Sequence, residues 1–392
     1  MTRPRVYLDW NASAPLRPEA RAAMLQAMDL VGNPASVHAE GRAARAIVER
    51  ARAQLADLVG CGPDEIVFTS GATEAAAMLM HAATLRHSSP VDHDCLVEWA
   101  EDADGPTFDV DGDLFWACAL PKPGEVSGMT YADGETGIIV DDYVWRAGEV
   151  GSGRSKRHGK RSDGSFGLLF YDITQMVGRV ERPWEWIRRS DDFDAAILSC
   201  HKFGGPTGVG AAIIASGVEP APLLRGGGQE SRRRAGTENV IGIAGMGAAA
   251  EAAARDIEAG VWEQVERLRN ILEERLSEAA PDLICFGKKS NRLPNTSCFA
   301  IPGWKGETQV MQMDLAGFAV SAGSACSSGK VGPSRVLKAM GFDDVTAQSA
   351  LRVSLGPTTT AAEVHAFADA WIDRYRRFSA KRPAEDRVPQ GA

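Results

Sequence analysis

The stretch Ala195-Ala196-Ile197-Leu198-Ser199-Cys200-His201-Lys202-Phe203-Gly204-Gly205-Pro206 sets a lysine in a turn directly after a short apolar strand. Lysines ordinarily occupy solvated faces, whereas open α/β sheets collect ligands at the carboxyl ends of their strands. An ammonium group stripped of water gives up its proton more readily, and the resulting amine is what a Schiff base requires. Taken alone, Lys202 also reads as a surface lysine in a Gly-Pro turn.

Working outward, Leu168–Asp172 is a second apolar strand, closing on Asp172-Ile173-Thr174-Gln175, and residues 65–69 form a third. The third turns through Ser70-Gly71-Ala72-Thr73-Glu74 into an Ala/Met-rich helix. Free N–H groups and the helix dipole face such a turn, which suits an anion. Strands of this kind between helix-like segments predict an α/β fold with a mainly parallel central sheet. Residues 18–30 and 41–59 read as helices around the breaker-rich loop 32–38. Residues 249–280 read as a long helical region that hands the chain to a smaller domain. There, 295–301, 319–321 and 350–354 read as strands and 361–378 as a closing amphipathic helix.

Arg352 interrupts the last of these strands, where a guanidinium is costly unless it meets an anion. Residues 225–239 mix arginines with glycines, which suits phosphate or carboxylate, or else an exposed charge run. Ser321-Ala322-Gly323-Ser324-Ala325-Cys326-Ser327-Ser328 surrounds a thiol with small residues, as an exposed loop does. Ionised, that thiol is a nucleophile. Two other candidates are plainer by themselves: Asp172 reads as a cap or turn residue, and His93, in Val91-Asp92-His93-Asp94, as a turn or core histidine.

At 392 residues the chain has room for two or three domains and a buried cleft. A net charge of -9 argues against a general nucleic-acid binder and against attraction to anionic membranes. The first residues build no signal-peptide core and no apolar run is long enough to span a bilayer, so a cytoplasmic location is expected. The seven cysteines are scattered with no C-x-x-C pair, so neither a disulfide framework nor a metal site is expected.

Taken together and in this order, residues 8–15, 33–38, 69–74, 172–175, 199–205, 226–239, 321–328 and 352–356 resemble the cysteine desulfurases. These belong to the class V aminotransferase group of fold-type I pyridoxal-phosphate enzymes. The resemblance implies a large cofactor domain, residues 15–255, and a small α/β domain of residues 1–14 and 256–392 with the cysteine loop. It implies pyridoxal 5'-phosphate on Lys202, Asp172 at the pyridine nitrogen, Gln175 at the phenolic oxygen, and His93 stacked on the ring as a proton shuttle. Phosphate would be held by Ala72, Thr73, Ser199 and His201, and by Thr237 from the other subunit of a homodimer. Arg352 would bind the substrate carboxylate, with Asn33 nearby. L-cysteine would become L-alanine, leaving a persulfide on Cys326 for a protein acceptor in iron–sulfur assembly, cofactor thiolation or transfer-RNA thiolation.

The sequence also departs from the family pattern. An asparagine pair usually precedes the Glu-x-Gly turn, whereas here the match is Ala132-Asp133-Gly134-Glu135-Thr136-Gly137, or alternatively Gly124-Glu125-Val126-Ser127-Gly128, and neither keeps the second amide. Ala75-Ala76-Ala77 stands where an asparagine is common, the chain is short between His93 and Glu135, and the basic stretch 148–165 looks inserted. Losing one hydrogen bond to a charged group costs roughly 1.5–3 kcal/mol, which bears on turnover more than on chemistry. A selenocysteine lyase-like enzyme and a degenerate cofactor-binding scaffold are the rival readings. Residues 154–161 are expected either to dock an acidic sulfur acceptor or to form a solvated loop without a role.

Overall fold

The computed structural model describes residues 5–101, 124–139, 167–188, 193–323 and 332–382. Cys326 and the basic stretch 154–161 lie outside them. In chain order the strands are β1 (Val6–Tyr7), β2 (Ile66–Thr69), β3 (Leu85–His87), β4 (Glu125–Thr130), β5 (Leu168–Asp172) and β6 (Ala195–Ser199). They continue as β7 (Gly210–Ile214), β8 (Ile284–Cys285), β9 (Thr296–Ala300), β10 (Phe318–Ala319), β11 (Ser321–Ala322) and β12 (Ala350–Ser354). The helices are α1 (Pro18–Met28), α2 (Ala39–Val59), α3 (Ala72–Met80), α4 (Asp94–Val97), α5 (Pro183–Arg188) and α6 (Val240–Glu258). They continue as α7 (Val261–Ala279), α8 (Gly306–Leu315), α9 (Arg335–Ala339), α10 (Asp344–Gln348) and α11 (Ala361–Ser379).

The main sheet runs β2-β7-β6-β5-β4-β3, with β3, β4, β5 and β6 parallel and β7 antiparallel to both of its neighbours. The sheet is therefore mixed, with one reversed strand in an otherwise parallel set. Phe203-Gly204-Gly205 turns the chain straight back after β6, too short a link for a crossover helix, so β7 must run against it. Strands β5, β6 and β7 are apolar on both faces because both are covered. Leu169, Tyr171, Ala196 and Leu198 face α1, α2 and α6, while Phe170, Ala195 and Ile197 face α3.

A second, antiparallel sheet of order β11-β12-β9-β8 packs on α7 and α11 through Leu272, Leu276, Phe367 and Trp371. The first strand of the chain pairs in parallel with β10. The helical region 249–280 is not continuous: α6 ends at Glu258 and α7 starts after Gly260, whose φ of 68° is left-handed. Glycine takes that conformation at no steric cost, so the break falls there. Among the described residues no helix is long and apolar enough to cross a membrane.

Candidate active site

The turn after β6 is one short 3-10 helix, Cys200–Lys202, which lifts the Lys202 side chain into a cavity of about 290 Å³ at the carboxyl ends of β5 and β6. Its Nζ donates to the backbone carbonyls of Asn11 (2.8 Å) and Ala12 (2.9 Å). The chain's first loop thus holds the lysine ammonium. His201 lies beside it with Nδ1 3.2 Å from Ser13 Oγ, and burial together with the Lys202 charge pushes its pKa down to about 4. The ring is consequently neutral at physiological pH.

Across the cavity, β2 hands the chain to α3. The Ala72 N–H donates to Ser199 Oγ at 2.9 Å, tying the helix start to the end of β6. Gly210 lies under this turn, where a Cβ would come within 2.5 Å of the Gly71 Cα. The close approach leaves no room for any other residue. Asp172 closes β5 with Oδ1 accepting from the Thr174 N–H at 2.9 Å, and His93 caps α4 with Nδ1 accepting from the Cys95 N–H at 3.1 Å. That contact puts the proton of a neutral His93 on Nε2.

Ala72, Thr73, His93, Asp172, Gln175, Ser199, His201 and Lys202 therefore line one cavity. Three expected residues do not line it. Arg352 is 2% exposed, with Nη2 on Asp9 Oδ1 at 2.9 Å and Nη1 on the Gly134 carbonyl at 3.1 Å. The anion that compensates it here is Asp9, and it braces the Gly134 turn from behind. Asn33 sits on the surface, its Oδ1 accepting from the Ala35 N–H at 2.9 Å. Thr237 is exposed and lines a different cavity with Thr69 and Ser70.

Beyond Asp172, sequence reasoning passed over two of the cavity's acids, Asp92 and Glu135. Asp92 is buried and accepts from the Ser89 and Thr130 N–H groups, both at 2.6 Å, and burial pushes its pKa up to about 7. Glu135 is buried against Gly323; burial first, then the neighbouring Asp133 charge, pushes it up to about 8. Arg335 stands at the rim, its Nη2 donating to the Asp92 carbonyl at 2.6 Å and to Asp94 at 2.9 Å. The run Asp92-His93-Asp94 was the available signal for the first of these, and the turn Asp133-Gly134-Glu135 for the second.

An amine, a carboxylate at a strand end and a helix amino terminus all facing one cavity form a donor set that fits pyridoxal phosphate. Residues 6–98 and 169–367 match the family described as aminotransferase class-V. The chain belongs to the class-V aminotransferase family. The stretch between the two matched segments contains Ala132–Gly137. A cysteine desulfurase of Cereibacter sphaeroides is 39% identical, covering 92% of this chain and 93% of its own length. The cysteine desulfurase IscS of Dictyoglomus turgidum is 32% identical, covering 92% of both. Among solved structures, a NifS-like protein from Rickettsia africae superposes with a TM-score of 0.78 at 26% identity, over 95% of this chain and 99% of that one. The α/β fold expected from the sequence is that of these family members.

Proposed function

We propose that this chain is a pyridoxal-phosphate-dependent cysteine desulfurase that converts L-cysteine to L-alanine and places the sulfur on Cys326. The observation that carries the proposal is the convergence of Lys202, Asp172, His93 and the α3 amino terminus on one cavity, in a chain whose similar proteins include cysteine desulfurases.

When bound, the cofactor supplies an electron sink for the bonds around the substrate's α-carbon. Lys202 would hold it covalently, Asp172 its ring nitrogen, Gln175 its phenolic oxygen, and Ala72, Thr73, Ser199 and His201 its phosphate. Thr237, exposed and away from its own chain's cavity, would complete the phosphate site of a partner copy, which makes the working unit a homodimer. Lys202 and His93, whose Nε2 carries the ring proton, are the groups positioned to move protons within the cavity. Arg352 and Asn33 would receive the substrate carboxylate, which for Arg352 requires sharing its guanidinium with Asp9.

The sulfur step balances without an external oxidant. The substrate's Cβ–S bond breaks, a proton takes the place of sulfur on Cβ, and the sulfur joins the Cys326 thiolate as a persulfide. An acceptor protein or a thiol reductant then removes it. The two sheets support a large domain of residues 15–255 and a small one of 1–14 and 256–392, since β1 pairs with β10. A cytoplasmic location suits an enzyme persulfide, which an oxidising compartment would not preserve.

Borohydride reduction of the cofactor-loaded protein followed by peptide mass mapping tests the central assignment. A phosphopyridoxyl adduct on the peptide containing Lys202, absent in Lys202→Ala, is expected. An adduct on another lysine would overturn it.

A further inference from the structure

Arg179 lies two turns beyond β5 and is only 4% exposed. Its hydrogen bonds all end on neutral carbonyl oxygens. Nη1 donates to the Gln175 backbone oxygen at 2.6 Å and to the Gln175 side-chain Oε1, and Nη2 donates to the Lys202 carbonyl at 3.2 Å. No carboxylate among the described residues pairs with it. Burial, reinforced by Arg352, pushes its pKa down to about 9. An uncompensated buried cation is costly, and a neutral donor would satisfy one amide oxygen as well.

What the charge achieves is visible at Gln175. An amide can be turned either way round, and the assignment depends on its partners. Here Oε1 faces the Arg179 fork while Nε2 donates to the Asn11 carbonyl at 3.2 Å, the same oxygen that accepts from Lys202 Nζ at 2.8 Å. The reverse orientation would set two donors against each other at Arg179 and two acceptors at Asn11. Gly134 leaves space that Gln175 occupies: a Cβ there would lie 3.0 Å from Gln175 Nε2.

We propose that Arg179 is a positioning residue that locks the Gln175 amide with its NH2 group toward the cavity, so that one aimed amide donor is held there. The inference rests on the desulfurase reading, through the expected contact of Gln175 with the phenolic oxygen of the cofactor. A donor held at that oxygen stabilises its anion, so loss of the donor moves the titration of the bound cofactor to higher pH.

The test is the pH profile of visible absorbance of pyridoxal-phosphate-loaded wild type, Arg179→Met, Gln175→Ala and the double variant, with thermal unfolding as the control for folding. The two single variants are expected to shift the midpoint upward by about one pH unit each, and the double variant by no more than either. An unchanged profile in Arg179→Met, or shifts that add in the double variant, would overturn the inference. If Arg179→Met does not fold, Arg179→Lys is read in the same way, with a smaller upward shift expected and an unchanged profile contradicting. Wild type that takes up no cofactor would instead overturn the proposed function, and this inference with it.

Discussion

Glu135 and Asp92 share a property that the sequence could not display. Both are acids buried beside the cavity with pKa values pushed up, to about 8 and about 7. Unfolded, each would titrate near 4. The folded chain therefore binds more protons than the unfolded chain between those limits. The stability these groups contribute is full below about pH 4 and is lost as pH rises through 7 and 8. Each contributes a slope of up to about 1.4 kcal/mol per pH unit. Glu135→Gln, permanently neutral, removes one such slope, so its denaturation midpoint should fall less steeply than that of wild type between about pH 5 and pH 8. Parallel curves would refute the assignment. The residues with a recognisable neighbourhood, Asp172 and Lys202 at or just after strand ends and Ala72 at a helix start, could be read from the sequence because their local structure alone directs them to the cavity. Arg352 was harder, because its partner Asp9 is 343 residues away in the chain.

Between elements, two packing devices hold the α3 turn and the loop leading to Thr237. The first is the bidentate pair of Arg52 on α2 with Glu230, at 2.7 and 3.0 Å, to which the Phe68 N–H adds a bond at 2.9 Å. It anchors Glu230, Ser231 and Arg232, three successive residues with positive φ. Removing one member strands a buried charge, so Arg52→Ala should lose about 3–5 kcal/mol in urea unfolding. A loss under about 1 kcal/mol would mean that the pair is dispensable. The second device is Gly210. Gly210→Ala forces β7 away from the Gly71 turn and should weaken cofactor affinity at least tenfold, roughly 1.4 kcal/mol, by equilibrium dialysis. Unaltered affinity would show that the turn can yield. The apolar strands and the α3 turn were legible because period and breakers are local signals. The reversal of β7 and the break at Gly260 were not, since each depends on how the chain packs after leaving an element.

At the scale of the molecule, the main sheet and its helices position the cavity, while the second sheet carries Arg352, which braces the Gly134 turn, and leads through Gly323 toward Cys326 in the sequence. Asn33 and Thr237 are exposed and do not line the cavity of their own chain, which a homodimer would explain. Mixing Lys202→Ala and Thr237→Ala chains, each inactive or weak alone, should restore activity through hybrid dimers. Mixtures no better than their components would argue against a shared site. Alanine release from L-cysteine by the cofactor-loaded protein with a thiol reductant is the most direct measurement of the proposed chemistry. Steady release that disappears in Cys326→Ala, with visible cofactor absorbance intact, is the predicted result. Undiminished release and sulfur transfer by Cys326→Ala, or no alanine from cofactor-loaded wild type, would contradict it.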